Sequence, residues 1–141
     1  MKKAHIILLL SFMLNTACGE YDINGNLDGM WHLRTVETFT DNYKKDVKEE
    51  RIYYSIQQHL IRLKKHNLEE QSAFIGRFIH QKDSLILDNL VIFQNEGIAA
   101  TPKELDMFYL DGSTSRYTIK KLNANEMILR SKYRELILKK F

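Results

Sequence analysis

From residue 29 onward the apolar positions recur mainly at every second residue, the period of a half-buried β-strand. "WHLRTVE" sets Trp31, Leu33 and Thr35 on one face and His32, Arg34 and Val36 on the other. "DSLILDNL" sets Leu85 and Leu87 against Ile86, and "SRYTIKKL" alternates Tyr117, Ile119 and Lys121 with Thr118 and Lys120. "EMILRS" and "ELILKKF" repeat the pattern, with Met127 and Leu129 on one face and then Leu136 and Leu138. The connections "HQKD", "DGST", "NANE" and "SKYR" carry the residues of tight turns. The second half of the chain therefore reads as an antiparallel meander.

Two stretches depart from this. "RIYYSIQQHLIRLKKHN" reads as one long strand, with Ile52, Tyr54, Ile56 and Leu60 on a face, or as a helix, with Tyr53, Ile56, Leu60 and Leu63 at helical spacing. The aromatic and β-branched content of its first half favours the strand. In "ATPKELDMFYL", Thr101 as N-cap, Pro102 at the first helical position and Glu104 in the first turn predict a short helix over 102–110. Six or seven strands and one short helix predict a small all-β antiparallel barrel, closed or nearly so, because closure removes exposed sheet edges.

The start of the chain follows different rules. Lys2 and Lys3 precede an apolar run from Ile6 to Leu14, shorter than the roughly 20 residues that span a bilayer. This is the pattern of a secretory signal, residues 1–17. Small residues Thr16 and Ala17 precede Cys18, as at the processing site of bacterial lipoproteins, with Asn15 where leucine is usual. Cys18 is thus the expected lipid-attachment site, residues 18–27 a tether, and 28–141 the folded domain. Two or more acyl chains on Cys18 would hold the protein at a membrane. The expected location is the cell envelope, on the outer membrane, facing the periplasm or the cell surface.

Composition narrows the partners. Without Lys2 and Lys3 the 21 basic residues fall to 19 against 18 acidic ones, so charge makes no case for nucleic acid. One cysteine excludes an intramolecular disulfide, and stability must come from the apolar core.

Gly29-Met30-Trp31 resembles the Gly-x-Trp of the first strand in lipocalins. With the signal, "LDGMWHL" and the closing "MILRSKYRELILKKF", the chain resembles the small lipocalin-like lipoproteins of Bacteroides and related bacteria. The resemblance implies an up-and-down barrel of about seven or eight strands. It implies that Gly29 turns the backbone into the first strand and that Trp31 plugs the closed end beneath a basic side chain. Arg130 and Arg134 are the positions expected to supply it, through a cation–π contact. The family's Thr-Asp-Tyr motif and its disulfide are missing here.

Catalytic signatures are absent: no Gly-x-Ser-x-Gly elbow, phosphate-binding loop or His-Glu-x-x-His helix occurs. The histidines His32, His59, His66 and His80 match no common metal spacing, and each is expected on a solvent-facing strand position or in a loop. The adjacent pairs Glu49-Glu50 and Glu69-Glu70 are expected to point apart into water. No enzyme activity, metal or cofactor is therefore expected. Tyr54, Ile56, Gln58, Leu60, Phe78 and Tyr117 are the candidate ligand-lining residues, although the aromatic ones would equally build a core. Gln58 and Arg62 continue the face of Tyr54, so they either line a wet cavity or turn outward. Residues 41–51 read as a charged loop after the first strand, near the mouth in the resembled family. Two functions follow as expectations. One is binding of a small apolar or amphipathic ligand; the other is an accessory or inhibitory protein-interaction role using the barrel surface and loops.

Overall fold

The computed structural model describes residues 23–66 and 73–141. The expected signal, Cys18 and the Glu69-Glu70 pair lie outside these residues. Among the described residues ten strands form a single antiparallel sheet: β1 (Gly29–Thr38), β2 (Tyr43–Asp46), β3 (Ile52–Gln57), β4 (Leu60–Lys65), β5 (Phe74–Gln81), β6 (Ser84–Ile92), β7 (Asn95–Ala99), β8 (Thr114–Leu122), β9 (Glu126–Arg130) and β10 (Arg134–Lys140). Eight of them run β1-β3-β4-β5-β6-β8-β9-β10, and β10 pairs back on β1 to close an all-β barrel. β2 is added to the upper half of β1 and β7 to β6. The one α-helix among the described residues, α1 (Pro102–Asp106), opens with the expected capping box: Thr101 accepts from the Glu104 amide and the Glu104 carboxylate accepts from the Thr101 amide.

Alternate side chains of all eight barrel strands point inward and fill the interior. Trp31, Leu33, Tyr54, Ile61, Leu63, Phe74, Leu85, Leu87, Met127, Leu129, Leu136 and Leu138 are buried. They form one continuous core with Leu105, Phe108 and Leu110 from the α1 segment.

Two expectations are corrected. Residues 52–66 are neither one strand nor a helix but a hairpin: Gln57 pairs with Leu60, and the turn between them puts Gln58 at φ 56°. A shift of register between Leu33 and Thr35 leaves Arg34 as an extra residue in β1. The bulge turns Val36 inward, in place of Thr35, so Val36 and not Thr35 continues the face of Trp31. Asn24 bonds to Asp28 and to the Gln58 carbonyl, and Leu27 is buried.

Candidate functional site

At the closed end, Trp31 is fully buried and its indole N–H donates to the Leu27 carbonyl at 2.8 Å. Gly29, at φ 131°, lets the chain turn from this floor into β1. The cation over the indole is Lys140, with Nζ 4.7 Å from the ring centroid and bonds to the carbonyls of Asn26 and Asp28. Arg130 and Arg134 do not reach Trp31. Both flank the β9–β10 turn at the opposite end, where Arg130 pairs with Glu135 at 2.7 Å and lies over Phe39. Arg134 Nε sits 3.0 Å from Asp111 Oδ1. The register explains this: Trp31 opens β1 and is opposite Lys140, so its neighbour on the antiparallel last strand falls near that strand's end.

The six candidate ligand residues do not converge. Tyr54, Ile56, Phe78 and Tyr117 are buried with the core. The Tyr54 hydroxyl donates to the Phe108 carbonyl, and burial raises its pKa well above the usual value. Phe74 meets Phe108 edge-on, with centroids 5.6 Å apart. Tyr117 is buried with its hydroxyl near the Ser115 side chain, and burial again pushes its pKa up. Gln58 lies exposed in the β3–β4 turn and Leu60 faces outward, because the hairpin breaks the long face on which both were expected.

A groove lies instead on the outer wall of β5 and β6, with a volume of about 690 Å³. Leu60, Ile75, Ile79, Ile86 and Val91 supply its apolar lining. The β5 and β6 members alternate with inward Phe74, Phe78, Leu85 and Leu87, which is why they face out. Arg77, Asp88, His59 and Glu96 supply polar groups around it. The wall is dented where the β5–β6 register shifts. There Gly76 stands opposite Asn89, which has φ 52°, and Leu90. A Cβ on Gly76 would come 2.7 Å from Leu90 Cδ2 and 3.3 Å from the Asp88 carbonyl oxygen, so a larger residue here would have to displace the Leu90 side chain. Leu60 and Phe78 are the two candidate residues that line this groove.

At the open end, Glu50 gathers three partners: Lys45 at 2.7 Å, the Tyr109 hydroxyl at 2.8 Å and Lys65 at 3.3 Å. Burial opposes its charge, but these bonds outweigh it and hold the carboxyl below its ordinary pKa. The network ties the 41–51 segment and the α1–β8 connection to β4. Those 11 residues are not a plain loop, since they include β2 and a buried Val47.

His32 is buried, against the expectation of a solvent-facing position, because the 47–50 turn folds over it. Its Nε2 lies 3.0 Å from the Lys48 carbonyl and its ring stacks on Tyr53. Burial lowers its pKa, outweighing the hydrogen bond with the Lys48 carbonyl; the charges of Arg34 and Lys48 add to the lowering and that of Glu49 opposes it. A His held neutral in the fold stabilises fully above its ordinary value of 6.5, and that contribution is lost as pH falls below it. Thermal melts between pH 7.5 and 5 should therefore show a decline that His32→Gln flattens. An equally steep decline in the variant would assign the effect to other groups.

Among the described residues no group of three or more His, Cys, Asp or Glu side chains is placed to hold a metal. The family model of the lipocalin-like domain matches residues 10–141. A crystal structure of a lipocalin-like protein from Bacteroides uniformis is similar, with 18% identity over 83% of this chain and 100% of that one, at TM-score 0.65. An uncharacterized protein from Bacteroides eggerthii gives 17% identity over 81% and 98%, at TM-score 0.63. At such identities the likeness carries the fold. No curated protein matches the chain.

Proposed function

Because the chain belongs to the lipocalin-like domain family, we propose that it is a non-enzymatic binding protein of the cell envelope, anchored through lipid on Cys18, that takes a small apolar or amphipathic molecule in the groove on its outer wall. The observation that carries this reading is a contrast. The barrel axis is occupied by the protein's own side chains from Trp31 up to Phe108, whereas the β5–β6 wall leaves an apolar recess open to solvent. Its volume falls in the range of roughly 300–1,000 Å³ usual for small-ligand sites. Apolar burial would supply affinity, and Arg77, Asp88 and His59 would orient a polar end.

Displacement of a lipophilic dye from the purified mature protein, followed by native mass spectrometry of what remains bound, tests the proposal. Leu60 and Ile79 are both exposed, so the double variant Leu60→Asp, Ile79→Asp should fold normally. It should bind the dye about tenfold more weakly or worse, a loss of ~1.4 kcal/mol or more. Unchanged affinity in a variant with unchanged melting would remove the groove as the binding seat.

A second reading, an interaction role toward another envelope protein, is favoured by β7. That strand is fully exposed and, among the described residues, pairs only with β6, and it borders the groove through Glu96. A free strand edge beside apolar pockets suits an extended segment of a partner. Cross-linking from position 98 in intact cells would capture such a partner, whereas recovery of lipid alone supports the first reading.

A further inference from the structure

The closed end of the barrel carries an apolar surface that its own packing does not use. Met30, next to the floor, is 43% exposed, and Phe141 is 80% exposed. Phe141 is nonetheless held in place: its amide donates to the Met30 carbonyl at 2.8 Å, and its ring meets Tyr53 edge-on at 5.7 Å. Ile23 stands exposed beside Asn24, which is bonded to the β3–β4 turn at the same end. Ile79, on the groove wall, is exposed near the β5–β6 turn at the same end of the barrel.

The tether decides what this surface can meet. Cys18 and Ile23 are five residues apart, a reach of at most about 18 Å even when fully extended. The ten residues of β1 run roughly 33 Å of strand, or about 25 Å along the axis of a barrel whose strands tilt near 40°. Turning the open end toward the anchoring bilayer would need a tether longer than that axial length, which the five residues do not supply.

We propose that the closed end rests on the bilayer that carries the anchor, with Met30 and Phe141 entering the boundary between headgroups and acyl chains and Ile23 and Ile79 at its edge. This rests on the reading of Cys18 as lipidated. It is the arrangement of an interfacial contact, in which a shallow apolar surface adds to a covalent lipid. The open end, with α1 and the Glu50 network, then faces away from the membrane.

The test uses the mature lipidated protein in phosphatidylethanolamine/phosphatidylglycerol vesicles. Acylation occupies the chain's sole cysteine, so a newly introduced one is unique. Met30→Cys and Ile79→Cys report the closed end, and Met107→Cys on the exposed face beyond α1 reports the open end. Each carries a bimane fluorophore, and lipids brominated high on the acyl chain act as quenchers. The two closed-end labels should be quenched roughly threefold or more over Met107, as expected for contact within ~5–10 Å of the headgroup boundary. Equal quenching at all three positions, or stronger quenching at Met107, overturns the proposal. Intact mass on the same samples separates the two levels. Absence of the acyl mass on Cys18 removes the anchor itself, whereas acylated protein with unquenched closed-end labels rejects only the docking. As a second check, Met30→Ser with Phe141→Ser should keep the melting temperature and lower the Ile79 quenching; unchanged quenching also rejects it.

Discussion

Trp31→Ala is expected to lower the melting temperature by roughly 12–20 °C, from a loss of about 3–5 kcal/mol at ~4 °C per kcal/mol for a domain of this size. The indole is fully buried, and it is bonded to the Leu27 carbonyl and capped by Lys140. Alanine would leave a void under the floor, an orphaned carbonyl and an ammonium without its ring. Against a total stability of ~5–15 kcal/mol this is a large fraction. Trp31→Phe should fall between, because it keeps most of the ring but strands the Leu27 carbonyl, at a cost of about 1–3 kcal/mol. Circular dichroism melts of the three proteins measure this directly. A drop of less than about 5 °C for alanine would mean that the floor is not part of the cooperative unit.

Phe108→Ala should be as costly, again about 3–5 kcal/mol, and it should also create what the wild type lacks. Phe108 is fully buried, packs edge-on against Phe74 and lends its carbonyl to Tyr54. Removing the ring empties the upper interior while the flanking Leu105 and Leu110 stay in place, and an apolar void of this kind stays dry and accepts benzene or xenon. The variant should therefore recover part of its melting temperature with benzene, as mass action requires for a ligand of the folded state. The wild type should show little such shift. Equal stabilisation of both proteins by benzene would show that the native interior already has room, and would return the ligand site from the outer wall to the barrel axis.

Much of the barrel was legible because one face of most strands is buried and the other wet. β9 and β10 alternate cleanly, as do the first halves of β6 and β8 before their register shifts, and the capping box of α1 is spelled out in Thr101, Pro102 and Glu104. β5 is harder to read because Ile75 and Ile79 are apolar on the outward face, beside inward Phe74 and Phe78. The residues that line the groove are the ones that blur the alternation. The β3–β4 hairpin was hidden for another reason. Its turn uses Gln58 at positive φ with no glycine, asparagine or proline to announce it. β2 was masked by charge, since all four of its residues are exposed. The cation over Trp31 is not one of the arginines expected from the last hairpin. Antiparallel geometry alone would have pointed to Lys140, because a partner of the first residues of β1 must sit at the far end of β10.

The seam between β1 and β10 has a kinetic consequence. It joins segments about a hundred residues apart in the chain, Trp31 to Lys140 and Thr38 to Arg134, so the barrel has its most distant contacts at the step that completes it. Pairings of that separation form late and slowly, after the loop entropy has been overcome. Until Arg134–Lys140 has been synthesised, β1 lacks the neighbour it pairs with along most of its length, and Trp31 lacks the Lys140 that caps it. The barrel therefore cannot shut until its last strand has been made.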